Sequence, residues 1–308
     1  MRMLVVGAGS TGGYFGGRLI EAGRDVTFLV RAARKARLQA DGLDIVSPFG
    51  NASLKPKLIT ATEIDSPYDV VLLTVKAYSL DAAMKDFAAA VGKDTMIMPF
   101  LNGMRHMDVL AERFGAGTLV GCTCHIFASI DEKGRIVQHN RLQEITYGEL
   151  DGSVTPRIEA LDAFMKTGAF GTRLSRHIRR RMWEKWILLA TLGSSNALAR
   201  GSIGEIEAAP GGTHLALRLL GEAVSVTRAA GVEPSEAFLD TARTTLTAKG
   251  SPLTSSMYRD LQAGNAVEAE QIVGDLLARG RKAGLDLPLL GAAFTNLMVY
   301  QNRISATR

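Results

Sequence analysis

The chain has 308 residues, 46% of them hydrophobic and 22% charged, which excludes a disordered chain and points to a soluble globular protein of about two domains. Its net charge of +5 is not a diffuse field: residues 31–37 and 176–185 each carry net +4 and the remainder is net −3, a pattern suited to small anionic ligands and poorly suited to nucleic acid. Cys122 and Cys124 are the only cysteines, which excludes a disulfide scaffold, and no apolar run approaches the roughly 18 residues of a membrane-spanning helix.

In chain order, residues 3–6 read as a short buried strand. The apolar run breaks at Gly7, so the start reads as a strand rather than a secretion leader, and a cytoplasmic protein is expected. A glycine-rich turn leads into a helix over 11–22, followed by a strand over 25–30, a helix over 34–40 and short strands within 42–58. Residues 69–75 form an unbroken apolar strand of the kind that parallel sheets bury on both faces. A helix over 79–91 and a strand over 94–98 follow, and residues 118–130 and 142–149 read as β, flanking the turn Asp131–Gly134. Strands alternating with helices imply βαβ units and a mostly parallel sheet. From Ile178 onward the pattern is almost entirely helical, with amphipathic stretches over 216–230, 234–249, 257–263 and 268–283. The expected organisation is therefore an N-terminal α/β doubly wound Rossmann-type domain, residues 1–175, and an all-α domain, residues 176–308.

Gly7-Ala8-Gly9-Ser10-Thr11-Gly12 fits G-x-G-x-x-G between a short strand and a helix. The first glycine allows the tight turn, the second admits a pyrophosphate to the backbone, and the third lets helix and strand pack closely. The free N–H groups at the helix start, including those of Ser10 and Thr11, favour phosphate. A fold selecting NAD usually ends its second strand in Asp or Glu. Here that strand ends in Arg31, with Arg34 and Lys35 behind it, so a 2′-phosphate and thus NADP(H) is expected.

Other groups yield less. Cys122-x-Cys124 with His125 lacks a second pair of metal ligands, so no metal site is expected. Trp183 and Trp186 read as core packing. The Arg176–Arg181 cluster reads either as a basic helix start or as an anion attractor.

Five segments carry a resemblance: GAGSTGG (Gly7–Gly13), TVKAY (Thr74–Tyr78), LNGM (Leu101–Met104), WEKW (Trp183–Trp186), and TSSMYRDL followed by VEAEQIVG (Thr254–Leu261, Val267–Gly274). In order and spacing the chain resembles the ketopantoate reductase family along nearly its whole length. The resemblance implies NADPH-dependent reduction of a 2-oxo acid, with 2-dehydropantoate the first candidate. It implies Lys185 as the catalytic lysine and Glu268 as a catalytic carboxylate that also meets the cofactor. Lys76 would hold the phosphate end of the cofactor, and Asn102 would lie beside nicotinamide and substrate. Ser256 would bind the substrate, and Asn196 is a further candidate substrate contact. The family carries asparagines four and eight residues after its lysine, whereas this chain has Leu189 and Gly193, which leaves the substrate open. A different 2-oxo acid, an opine-type substrate and a non-catalytic NADPH-binding regulator are the alternatives. A homodimer through the helical domain is a further expectation.

Overall fold

Met3–Val6 carry only apolar side chains, and such a stretch is stable in a sheet covered on both faces. The computed structural model, which describes residues 1–306, places it at the centre of one. In chain order the strands are β1 (Arg2–Val6), β2 (Asp25–Leu29), β3 (Leu43–Val46), β4 (Ala52–Leu54), β5 (Lys57–Ile59), β6 (Val70–Leu73), β7 (Met96–Pro99), β8 (Gly121–Ile130), β9 (Ile136–Gly148) and β10 (Gly171–Leu174). The first sheet has the order β5-β2-β1-β6-β7, all parallel. The chain winds outward from β1 through β2 to β5, then crosses to the other side of β1 for β6 and β7. The reversal falls between β1 and β6, where the loops leaving the carboxyl ends part and form a crevice. Val6 pairs with both Leu29 and Leu73, so the Gly7 turn, Arg31 and the Thr74–Lys76 segment all leave the same sheet edge.

A second, mixed sheet runs β10-β9-β3-β4, with β8 antiparallel to β9. The sequence pattern does not separate it from the first sheet. Its β9 begins at Ile136, earlier than expected, and the β8–β9 register jumps between Ile126/Gln143 and Ala128/Gln138. That bulge breaks the alternation on which strand reading depends. The helices Arg105–Phe114 and Pro156–Met165 are also unforeseen, and the helix expected over 79–91 is instead a short helix, Leu80–Asp86, between two 3-10 turns. Around Phe15, the rings of Tyr14, Phe100 and Phe170 pack edge-on with centroids 5.3, 5.9 and 5.0 Å away.

Two compact units result. One comprises Met1–Leu101 and His106–Arg179; the other comprises Arg180–Arg308 together with the four residues Asn102–Arg105. The helices that make up most of the second unit are Ile178–Ala199, Ile203–Ala208, Gly212–Ala229, Glu236–Leu246, Ser256–Gln262, Asp275–Lys282 and Pro288–Ala306. Their ends are fixed by side chains. Ser202 and Glu205 form a capping box, Ser235 caps its helix, and the buried Glu222 carboxylate accepts the N–H groups of Leu289 and Leu290 at 3.0 and 2.8 Å. Among the described residues, no helix is long and apolar enough to cross a membrane.

A partly buried charge pair ties the end of β9 to the helix Pro156–Met165. Glu149 accepts from Arg157 Nε and Nη2 at 2.8 and 2.5 Å and from Thr155 Oγ1 at 2.5 Å. The Arg157 bonds are the chief reason its carboxyl titrates below the usual glutamate range. The pair is therefore fully formed above the ordinary glutamate value of 4.5 and is lost as pH falls through the lowered one. Arg157→Ala is expected to destabilise by about 1–2 kcal/mol at pH 7, because solvent screens the partly exposed guanidinium, with the deficit narrowing as pH falls below that range. Urea unfolding at pH 7 and pH 4 measures both the size and the trend.

Candidate active site

At the carboxyl edge of the first sheet, the turn after β1 is held by a hydroxyl. Thr74 Oγ1 donates to the carbonyls of Val6 and Gly7, at 2.9 and 3.0 Å. Gly7 has φ +97°, a conformation glycine adopts without strain. The helix Ser10–Glu21 then starts with Gly9 as its N-cap and no side-chain cap, which leaves the first-turn N–H groups for a ligand. The glycines differ in what surrounds them. A Cβ on Gly12 would overlap Thr74 Oγ1 and the Gly7 carbonyl, whereas a Cβ on Gly9 would meet nothing within 4 Å. Gly12 thus serves packing, and the space over Gly9 is open, as close approach of a pyrophosphate to the backbone would require.

The basic cluster after β2 is largely committed. Arg34 Nη2 donates to the Ala8 carbonyl at 3.2 Å and braces the glycine turn from outside. Lys35 bonds both carboxylate oxygens of Glu63, at 2.5 and 2.6 Å, and Arg37 lies 3.6 Å from Asp41. Arg31 is exposed and makes no ion pair among the described residues. Lys76 is exposed one turn beyond β6, at the start of the 3-10 turn Ala77–Ser79. These residues fit a phosphorylated dinucleotide: glycine backbone for the pyrophosphate, with Arg31 and Lys76 as exposed cations at the same sheet edge.

The remaining expected site residues lie in the second unit. Lys185 is half-buried on the Ile178–Ala199 helix, next to the buried rings of Trp183 and Trp186, whose centroids are 5.0 Å apart. The Trp186 indole Nε1 donates to the Ile272 carbonyl at 2.8 Å. Ile272 belongs to a π-helical turn, Glu270–Gly274, and its own N–H donates to the carbonyl of buried Glu268 at 3.0 Å. Gly103, with φ +79°, lies so close to this turn that a Cβ would overlap the Gln271 carbonyl. Gly103 and Trp186, the sequence neighbours of Asn102 and Lys185, thus both pack on the turn that follows Glu268, so segments from three distant parts of the sequence meet there.

Farther along the Lys185 helix, Asn196 is fully buried. Its Nδ2 donates to the Gly201 carbonyl and its Oδ1 accepts from the Ser255 N–H, both at 2.8 Å. The expected substrate contact is corrected here, because the amide is engaged with two backbone groups and has no exposed surface. Asn196 instead ties down the start of the Ser256–Gln262 helix. Ser255, not singled out from the sequence, caps that helix by accepting from the Tyr258 N–H at 3.0 Å, which leaves Ser256 half-exposed at its first position. The pair Ser255-Ser256 before a helical pattern carried the cap signal, although not which serine would use it. Leu189 is half-exposed one turn from Lys185. Gly193 is buried, and a Cβ there would sit 2.5 Å from the terminal methyl of Met257.

The basic run before Lys185 is dispersed. Arg176 and Arg179 are exposed, and Arg180 lies 3.9 Å from Glu184, which also accepts from Ser235 N and Oγ. Cys122 and Cys124 are buried free thiols, and Cys122 donates to the Pro99 carbonyl.

Residues 3–152 match the family described as Ketopantoate reductase PanE/ApbA, and residues 177–301 match its C-terminal domain. The chain belongs to the ketopantoate reductase family. It is 36% identical over 301 residues to an uncharacterized oxidoreductase, YkpB, of Bacillus subtilis (strain 168), covering 98% of this chain and 99% of that one. A 2-dehydropantoate 2-reductase of Halobacterium salinarum is 31% identical over 296 residues, covering 94% and 95% of the two chains. The crystal structure of 2-dehydropantoate 2-reductase from Geobacter metallireducens superposes with TM-score 0.86 at 26% identity, covering 97% and 99%. The protein is accordingly an NADP-dependent oxidoreductase acting on CH–OH groups, with a small-molecule substrate.

The contrast between the two glycines can be tested directly. Gly9→Ala, with open space around it, is expected to keep the melting temperature within about 3 °C of wild type yet weaken NADPH binding at least about tenfold. Gly12→Ala is expected to lower the melting temperature further, because the new methyl group meets Thr74 and backbone. Thermal melts and cofactor fluorescence titration separate the two outcomes.

Proposed function

We propose that the protein reduces a 2-oxo acid to the corresponding 2-hydroxy acid with NADPH, with 2-dehydropantoate as first candidate. The observation that carries this reading is that the segments bearing Lys185, Asn102 and Glu268 meet at the Glu270–Gly274 turn, through Trp186, Gly103 and the Glu268 backbone. NADPH supplies the hydride when bound. As hydride reaches the carbonyl carbon, negative charge builds on the oxygen. The Lys185 ammonium stabilises that charge and gives the proton that completes the alcohol. Asn102 donates to the reacting carbonyl, Ser256 binds the substrate carboxylate, and Glu268 accepts from a substrate hydroxyl and orients the lysine. Arg31, exposed at the end of β2, takes the 2′-phosphate and selects NADPH over NADH.

Lys185→Ala is expected to lower kcat about a thousandfold with NADPH affinity unchanged. Stopped-flow NADPH oxidation across a panel of 2-oxo acids measures this. Wild-type turnover by the variant overturns the role of Lys185. NADPH binding without turnover of any 2-oxo acid would point to a regulator, and amine-dependent oxidation to an opine-type enzyme.

Leu189 and Gly193 favour a second reading of the substrate. The face of the helix that presents Lys185 continues with an apolar side chain and then a glycine covered by Met257, and the amide of Asn196 is engaged elsewhere. Among the described residues, this helix face therefore offers a substrate hydroxyl no amide like the family's asparagines, which supports a 2-oxo acid with an apolar side chain. Sites that bond a hydroxyl discriminate strongly, so Leu189→Asn is expected to raise kcat/KM for 2-dehydropantoate about tenfold relative to 2-oxoisocaproate. An unchanged ratio counts against this reading.

A further inference from the structure

Beside Lys185, the indole N–H of Trp186 bonds another helix, and what it bonds is a π-turn. A π-helical turn carries one extra residue, is uncommon, and often marks a functional site. Here it stands between Glu268 and the helix Asp275–Lys282. Three constraints converge on it. The Trp186 Nε1 bond to the Ile272 carbonyl holds it from the lysine helix. Gly103 packs on the Gln271 carbonyl with no room for a side chain, and the Cβ position at Gly103 lies 3.8 Å from Trp186 Nε1. The Arg279 guanidinium sits over the faces of Trp186 and Trp183, 5.7 and 6.0 Å from their centroids, and Arg279 Nε donates to Asp275 at 3.1 Å. The indole is therefore fixed at its edge and on its face.

We propose that Trp186 is a positioning residue: its N–H bond to the π-turn sets the placement of Lys185, its neighbour in sequence, relative to Glu268 and Asn102. The inference rests on the reductase reading for its kinetic consequence, but not for the junction itself. A lysine on a single helix has four rotatable bonds and no built-in register with a carboxylate on another helix. A hydrogen bond one residue from the lysine and four residues from the glutamate supplies that register. Trp183, two residues before Lys185, makes no such bond among the described residues and serves as the internal control.

Trp186→Phe keeps an aromatic ring and removes the N–H. The expected result is a fall in kcat of about tenfold or more, with KM for NADPH unchanged, because misplacement of about 1 Å can cost a hundredfold. Gly103→Ala displaces the same turn from the other side. Combined with Trp186→Phe, its effect on kcat is expected to be clearly less than the product of the two single effects. A readout free of turnover is the pH dependence of Lys185 labelling by an amine-reactive reagent, followed by peptide mass spectrometry. It is expected to shift in Trp186→Phe and stay put in Trp183→Phe. If phenylalanine leaves too large a gap for folding, β-benzothienylalanine at position 186 keeps the ring size without the N–H and carries the same expectation. Wild-type kcat with an unmoved labelling profile overturns the proposal, as does a labelling shift of equal size in Trp183→Phe. A wild-type protein that reduces no 2-oxo acid overturns the reductase reading instead, and the labelling profile still decides the junction.

Discussion

The closeness of one helix to two sheets sets the geometry of the N-terminal unit. Ser10–Glu21 lies with Gly16 against Phe28 and Val5 of the first sheet, and with Gly13 and Gly17 against Ile136, Leu43, Ile45 and Leu54 of the second. At each of these positions a Cβ would come within 2.7 Å of a neighbouring side chain, so a larger residue would push helix and sheet apart. The same approach sets the helix start against the end of β1, and Thr74 then locks the turn between them. The phosphate-binding geometry is thus a by-product of packing: the helix reaches its position through its glycines and only then presents its first N–H groups at the sheet edge.

The C-terminal unit solves a different problem. Its proposed chemistry needs a lysine, an amide and a carboxylate from segments that are far apart in sequence and lie on no common element. A sheet would supply such convergence through aligned strand ends, whereas helices have no equivalent edge. Here the convergence comes from an irregular piece of helix, where the π-turn receives an indole from one segment and a side-chain-free backbone from another. Asn196 works similarly one layer away, with a side-chain amide joining two backbone segments and fixing Ser255 and Ser256.

How much of this was legible depended on how local each signal was. The glycine turn, β1, β2 and β6 were readable because their patterns lie within a few residues and follow the periods of helix and strand. The motifs around Lys185 and Glu268 lie in segments that the structure joins through the Trp186–Ile272 bond. The second sheet was not readable as separate, because membership in one sheet or another is a property of pairing, and its longest strand is bulged. The role of Asn196 was misjudged for a related reason. A residue's position in the sequence does not show that backbone groups of Gly201 and Ser255 claim its amide. Arg34 and Lys35 likewise looked equivalent to Arg31 until the structure gave each a partner close to home.

The four residues Asn102–Arg105 bear on how such a protein could be divided or inherited. The polypeptide leaves the first unit at Leu101, gives Asn102–Arg105 to the second, returns at His106, and departs again after Arg179. A cut in the short connection between β10 and the helix Ile178–Ala199 therefore does not separate the two units cleanly. The C-terminal piece would lack the backbone that covers the Gln271 carbonyl, and the N-terminal piece would carry a turn shaped for a surface it no longer has. Exchanging one unit between relatives as a cassette would mean transplanting a discontinuous element, the four residues Asn102–Arg105 along with everything after Arg179.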